Sequence, residues 1–223
     1  MPSLEGVTLA IQTTELIAHE TGSLAAEVVF GSIDGIFSVL GIIAAAGSAG
    51  LAPLEIFVTG VGGAAAGALS VFAATYLSET TEKKTRLMAA WEHSRKVGTK
   101  RSRNSNGELR TPTRKEHKVF HELLSRVHRR ALVSGLVTST TSTLASLTLL
   151  LPLVLLSQFY STPTSMLVGI FLLALMGAFR GITLKQSAAK SAIKMVILGV
   201  IIIVACRVLG SYVQTLLNLQ STI

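Results

Sequence analysis

Glu27 and Asp34 are the side chains best placed to do chemistry in this chain. Seven residues apart on a helix, they fall within about 20° of one face and about 10 Å apart along its axis. Asp34 is the one charged residue in an apolar run from Val28 to Gly47. An Asp at the centre of a bilayer costs about 2.5–3.5 kcal/mol on insertion scales, and such residues usually line a cavity or carry ions or protons. The pair could form a ladder of oxygen acceptors along one wall. The bland alternative is a hydrogen-bonded Asp34 that fixes packing, with Glu27 simply in the interface. Ser70, in a second apolar run, could add an oxygen ligand.

A second group of candidates is His117, His121 and His128. On a helix their angles are about 0°, 40° and 20°, one shared face. His117 and His121 are a turn apart and could bind one metal, with Glu82 and Glu92 as carboxylates of the same region. His128 is about 10 Å further along, too far for the same ion. The simpler reading is three solvated or headgroup-facing histidines on a basic helix.

The elements that must position these residues follow from the apolar runs. A helix needs about 20 predominantly apolar residues to cross a bilayer. Five stretches qualify: roughly 28–47, 55–77, 132–157 (with Pro152), 164–182 and 191–213. The strict alternation of a membrane β-barrel is missing. The expected fold is therefore all-α and polytopic, with five transmembrane helices. It divides into an N-terminal cytoplasmic or interfacial segment (1–27), helices one and two (28–77), a basic loop (78–131), helices three to five (132–213) and a tail (214–223). In the second span Gly63 and Gly67 sit at i and i+4, a spacing that lets helices pack closely, here expected against the first span or a partner subunit. The Ser and Thr residues at 134–146 are expected to bond to their own helix.

Residues 79–130 hold fifteen Lys or Arg against six Asp or Glu, and the next connection but one carries Lys185, Lys190 and Lys194. Positive loops stay in the cytoplasm. The basic loop and the N-terminus are therefore expected inside, and the C-terminus outside. Within the loop, 79–97 can extend the second helix, and 98–112 reads as a linker. Thr113 and Glu116 resemble a capping box that starts the next helix. Lys100, Arg101 and Arg103 are candidate contacts for anionic lipid.

Composition excludes other classes. Charged residues make up 14% of the 223 residues, too few to coat a soluble surface, where about 25% is typical. Residues 1–20 have no Lys or Arg, so no cleaved signal is expected. The single Cys206 excludes an internal disulfide and a Cys-based zinc cluster. A net charge of +8 suggests nucleic acid, but no base-reading aromatics or nucleic-acid fold accompany it. No phosphate loop, HExxH or Gly-x-Ser-x-Gly is present, so no enzyme and no bound cofactor are expected.

Gly31-Ser32-Ile33-Asp34-Gly35, with Glu27 ahead of it, resembles the start of the vacuolar iron transporter family's first span. Ala66-Gly67-Ala68-Leu69-Ser70 followed by Tyr76-Leu77-Ser78 is similar to its second, and Lys190-Ser191-Ala192 to the entry of its last. The resemblance covers all five spans in order. It implies a homodimer in the lipid bilayer that moves Fe²⁺ or Mn²⁺ out of the cytosol, with protons as counter-ion. The path would run between first and second spans of both subunits. Asp34 matches the family's intramembrane aspartate and Glu27 its upstream glutamate. The implied location is the cell membrane of a prokaryote or a vacuole-type membrane of a eukaryote.

Three positions depart from that pattern. The family's glutamate in the second span falls on Gly63, its methionine on Val71, and a later glutamate on Thr75. The loop is basic where the family's is rich in Glu and Met. A second reading is therefore a non-transporting protein of the same fold, whose basic loop binds anionic lipid or a protein partner.

Overall fold

In lipid every backbone N–H and C=O must be satisfied internally, and a helix does so within one segment. The computed structural model describes the backbone of residues 21–103, 114–183 and 185–220, with side chains within 25–89, 124–157, 159–183 and 185–218. Among these residues all regular structure is α-helical: α1 (Thr21–Ser48), α2 (Pro53–Arg103), α3 (Arg114–Leu155), α4 (Gln158–Thr183) and α5 (Ala188–Gln220). Five segments are long and apolar enough to cross a membrane: Ala25–Ser48, Pro53–Ala89, Leu124–Leu155, Phe159–Thr183 and Ala188–Asn218. The expected all-α, five-span class is met.

Local chemistry explains the helix ends. α1 closes in a Schellman turn. Gly50, at φ 79°, donates to the Gly47 carbonyl (3.3 Å), and Leu51 donates to Ala46 (3.1 Å). α2 opens with the Ala52 N–H on the Glu55 carboxylate at 2.9 Å, half of a capping box. α4 ends in a second Schellman turn, Lys185 to Ile182 (3.1 Å) and Gln186 to Gly181 (2.8 Å). Here the left-handed residue is Lys185, at φ 53°, where glycine is usual.

Two boundaries differ from the expectation. α2 continues through Gly98 to Arg103, where a linker was expected from 98. Lys and Arg are good helix formers, and one glycine costs only about 1 kcal/mol. Residues 104–113, which include Thr113, lie outside the described residues. α4 begins at Gln158 rather than 164, so the connection from α3 is only two residues long. The Ser157 carbonyl accepts from the N–H groups of Tyr160 (3.0 Å) and Ser161 (3.1 Å). Pro163 removes one donor from this helix, and the helix runs through it.

The chain forms two compact units, Met1–Val71 with Val137–Ile223, and Phe72–Leu136. In the first, Ile36, Val39, Leu40 and Ile43 of α1 form the core with Ile56 and Ala64 of α2, Leu149, Leu150 and Leu153 of α3, Leu173 of α4 and Met195 of α5. Small residues set the approach of the helices. A Cβ on Gly31 would run into the Thr138 carbonyl, and one on Gly35 into the Ser142 carbonyl. α1 and α3 thus meet backbone to backbone. Between α4 and α5, a Cβ on Gly177 would lie 2.9 Å from Ala192 Cα, and one on Gly181 2.8 Å from Ala188 Cα.

In the second unit, α2 and α3 continue as a helical hairpin. The Tyr76 hydroxyl and His128 Nδ1 share a hydrogen bond at 3.2 Å. The Phe72 ring stacks on Tyr76 at 6.3 Å and lies against Gly135. Lys83 pairs with Glu79 and Arg86 with Glu82, each at 2.6 Å along α2.

Candidate functional site

Asp34 is held by its neighbours in sequence. Gly31 and Gly35 on either side of it are seated on the α3 backbone. The Ser146 hydroxyl of α3 donates to the Gly35 carbonyl at 3.1 Å. The backbone carrying Asp34 therefore has little freedom. Its side chain is half-buried, and Ser38, one turn on, is exposed. Glu27 is also half-buried, and its Oε2 is out of reach of solvent. Ser70 lies exposed on α2.

A half-buried carboxylate on a fixed backbone can take a cation or a proton on its exposed part. Among the described residues, no three His, Cys, Asp or Glu side chains gather to hold a metal.

Gly63 and Gly67 separate in their roles. A Cβ on Gly63 would meet the Ile42 side chain of α1, whereas nothing described lies within 4 Å of one on Gly67. The position where the resemblance expects a glutamate is thus occupied by a glycine that receives an isoleucine from the facing helix. Val71 and Thr75 are both half-buried.

Of the loop candidates, Glu82 is exposed and paired with Arg86. The side chains of Glu92, Lys100, Arg101, Arg103, His117 and His121 lie outside the described residues. His128 is the histidine that the structure places, against Tyr76.

The Ser and Thr residues of α3 behave largely as expected. Thr141 donates to Val137 (2.9 Å), Thr143 to Ser139 (2.8 Å) and Thr148 to Leu144 (2.8 Å), all within the helix. Ser146 crosses to α1 instead, from a buried face that it shares with Ser134, Thr138 and Ser142.

Arg207 was missed. It is exposed within the last apolar helix, and its carbonyl accepts the Ser48 hydroxyl of α1 at 3.0 Å. The signal available was a lone base in an otherwise uncharged run.

The sequence profile of the VIT family matches residues 25–100 and 89–211, a span that takes in the Asp34 segment and reaches into α5. The chain belongs to the VIT family. Members of the VIT family are transporters rather than enzymes, and this chain is a membrane protein of that class. No curated protein matched the sequence. VIT membership supports a metal ion as cargo, which agrees with an oxygen-donor residue as the intramembrane charge of α1.

Proposed function

We propose that this protein exports a divalent cation, Fe²⁺ or Mn²⁺, from the cytosol in exchange for protons, along a path lined by α1 and α2. Asp34 is the obligatory intramembrane ligand, Glu27 the acceptor one step nearer the cytoplasm, and Ser70 an additional oxygen. The working form is a homodimer, so that ligands from two copies complete a shell that one copy leaves open. The basic loop and the α4–α5 turn face the cytoplasm.

The observation that carries this reading is the placement of Asp34. It is a half-buried carboxylate in a membrane-length helix, on a backbone seated against α3 through Gly31 and Gly35. Holding a charge there is costly, and membership of a transporter family supplies a use for it.

One observation favours a second reading. The family's glutamate position is Gly63, with Ile42 packed against it. A thinner set of ligands would suit a protein of the same fold that has ceased to transport, with its basic loop bound to anionic lipid or a protein partner.

Metal uptake into proteoliposomes separates the two. Wild type is compared with Asp34→Asn, for Fe²⁺ and Mn²⁺, with and without a proton gradient. Flux in wild type that vanishes in the variant supports the transporter. Equal flux in both removes Asp34 from the path. No flux in either, from folded protein, selects the second reading.

A further inference from the structure

The bases of this protein are not neutralised evenly. On the α2 extension, Lys83 and Arg86 each have a glutamate one turn away. From residue 123 to the C-terminus, the chain contains no Asp or Glu at all. Yet the α4–α5 turn and the helix ends beside it carry Arg180, Lys185, Lys190 and Lys194, all exposed. None of the four has an ion-pair partner among the described residues.

The two helices that flank the turn are packed closely. Gly177 and Gly181 bring α4 onto the backbone of α5, and the Schellman bonds of Lys185 and Gln186 close the connection. Lys185 holds a left-handed conformation that costs a non-glycine residue about 1–2 kcal/mol. A cation is therefore kept where glycine would be more stable. By helical rotation from the Gly177 and Gly181 seam, Arg180 falls on the same flank of the hairpin as Lys190 and Lys194.

Below the two lysines the same face of α5 turns apolar. Lys190, Lys194, Ile197 and Ile201 follow i, i+4, i+7 and i+11, one stripe along a helix. Ile197 is 53% exposed and Ile201 56%. Val204 and Val208 continue the exposed apolar surface. A cationic head followed by an apolar strip has the shape of an amphiphile of opposite charge. Basic pockets at the cytoplasmic ends of membrane helices suit lipid phosphates.

We propose that this surface is a binding site for an anionic phospholipid of the cytoplasmic leaflet. Arg180, Lys185, Lys190 and Lys194 meet the phosphate, and an acyl chain lies along Ile197 and Ile201. The choice of leaflet rests on the orientation given above, whereas the binding itself does not depend on metal transport.

The test uses the full chain in neutral detergent, titrated with phosphatidylglycerol, phosphatidylcholine or inorganic phosphate. Lipid adducts are counted by native mass spectrometry and the unfolding midpoint is followed in parallel. Phosphatidylglycerol should bind and raise the midpoint, and phosphatidylcholine should do neither. Each removed charge should weaken binding roughly fivefold, so R180Q/K190Q/K194Q should weaken it on the order of a hundredfold. The K83Q/K84Q/R86Q variant, with the same change of charge on α2, should bind as wild type does. Equal loss in both variants would mean diffuse attraction and would overturn the site. Inorganic phosphate matching the lipid's stabilisation would overturn the lipid as occupant. Should the triple variant not fold, K190Q alone decides, and unchanged affinity in it rejects the proposal.

Discussion

The Ser146 hydroxyl donates to the Gly35 carbonyl across α3 and α1, at 3.1 Å and 111 residues apart in sequence. It ties the third span to the residue that follows Asp34. Together with Gly31 and Gly35 on the α3 backbone, it makes α3 the element that positions the intramembrane carboxylate.

Gly35→Ala should therefore be among the most damaging small substitutions in the protein. The added methyl meets the Ser142 carbonyl, a backbone atom that cannot step aside. A loss of about 1–3 kcal/mol is expected, as for overpacking in general. Ser146→Ala removes one interhelical hydrogen bond and should cost only about 0.6–1 kcal/mol. Thermal unfolding in detergent checks both, and equal stability of Gly35→Ala and wild type would refute the close seam.

Gly63 and Gly67 share a spacing but should respond differently to the same substitution. Gly67→Ala adds a methyl into open space and exchanges glycine for a better helix former, a gain of about 0.5–1 kcal/mol in the subunit. Gly63→Ala must move the Ile42 δ-methyl, which offsets that gain. Unfolding midpoints of the two variants should differ in that order.

Asp34→Asn conserves volume and removes the charge. The expected outcome is wild-type folding with metal flux lowered by at least about a hundredfold, the loss of a ligand worth about 2.8 kcal/mol at 1.4 kcal/mol per decade. Radiometal uptake into proteoliposomes reads the flux, and gel-filtration profiles report the fold. A folded variant with undiminished flux contradicts the role given to Asp34.

Lys185→Gly separates stability from lipid binding. Glycine takes the left-handed position without steric cost, so the unfolding midpoint should rise by the equivalent of about 1 kcal/mol in the absence of lipid. Affinity for phosphatidylglycerol should fall roughly fivefold with the lost charge. A rise in stability with unchanged lipid affinity would show that the cation is incidental.

The number and class of the spans were legible in the sequence. A run of about 20 apolar residues is local information, and lipid leaves a single chain segment only the helix. The start of α3 at Arg114 agrees with the helix expected from 114, while the capping pair Thr113 and Glu116 lies outside the described side chains. The start of α4 was not legible. The apolar run is clear only from 164, and the Ser157 carbonyl that accepts the first turn's amides leaves no mark in the pattern.

Of the candidate site, the sequence alone singled out Asp34, because a charge in an apolar run announces itself by its cost. Small-residue spacing likewise marked faces that could be approached closely. The Gly63 face was open to the first span or a partner subunit and the tertiary structure decided for the first span, whereas the seats of Gly31 and Gly35 were not marked beforehand. Gly31 and Gly35 receive α3, Gly63 receives Ile42 of α1, and Gly67 receives nothing described. The physical reason is that helical periodicity is fixed by the 3.6-residue turn within one segment, whereas a contact such as Ser146 to Gly35 depends on how separate helices are packed. That packing is a sum over many distant pairs of residues, and it leaves no local imprint on any one of them.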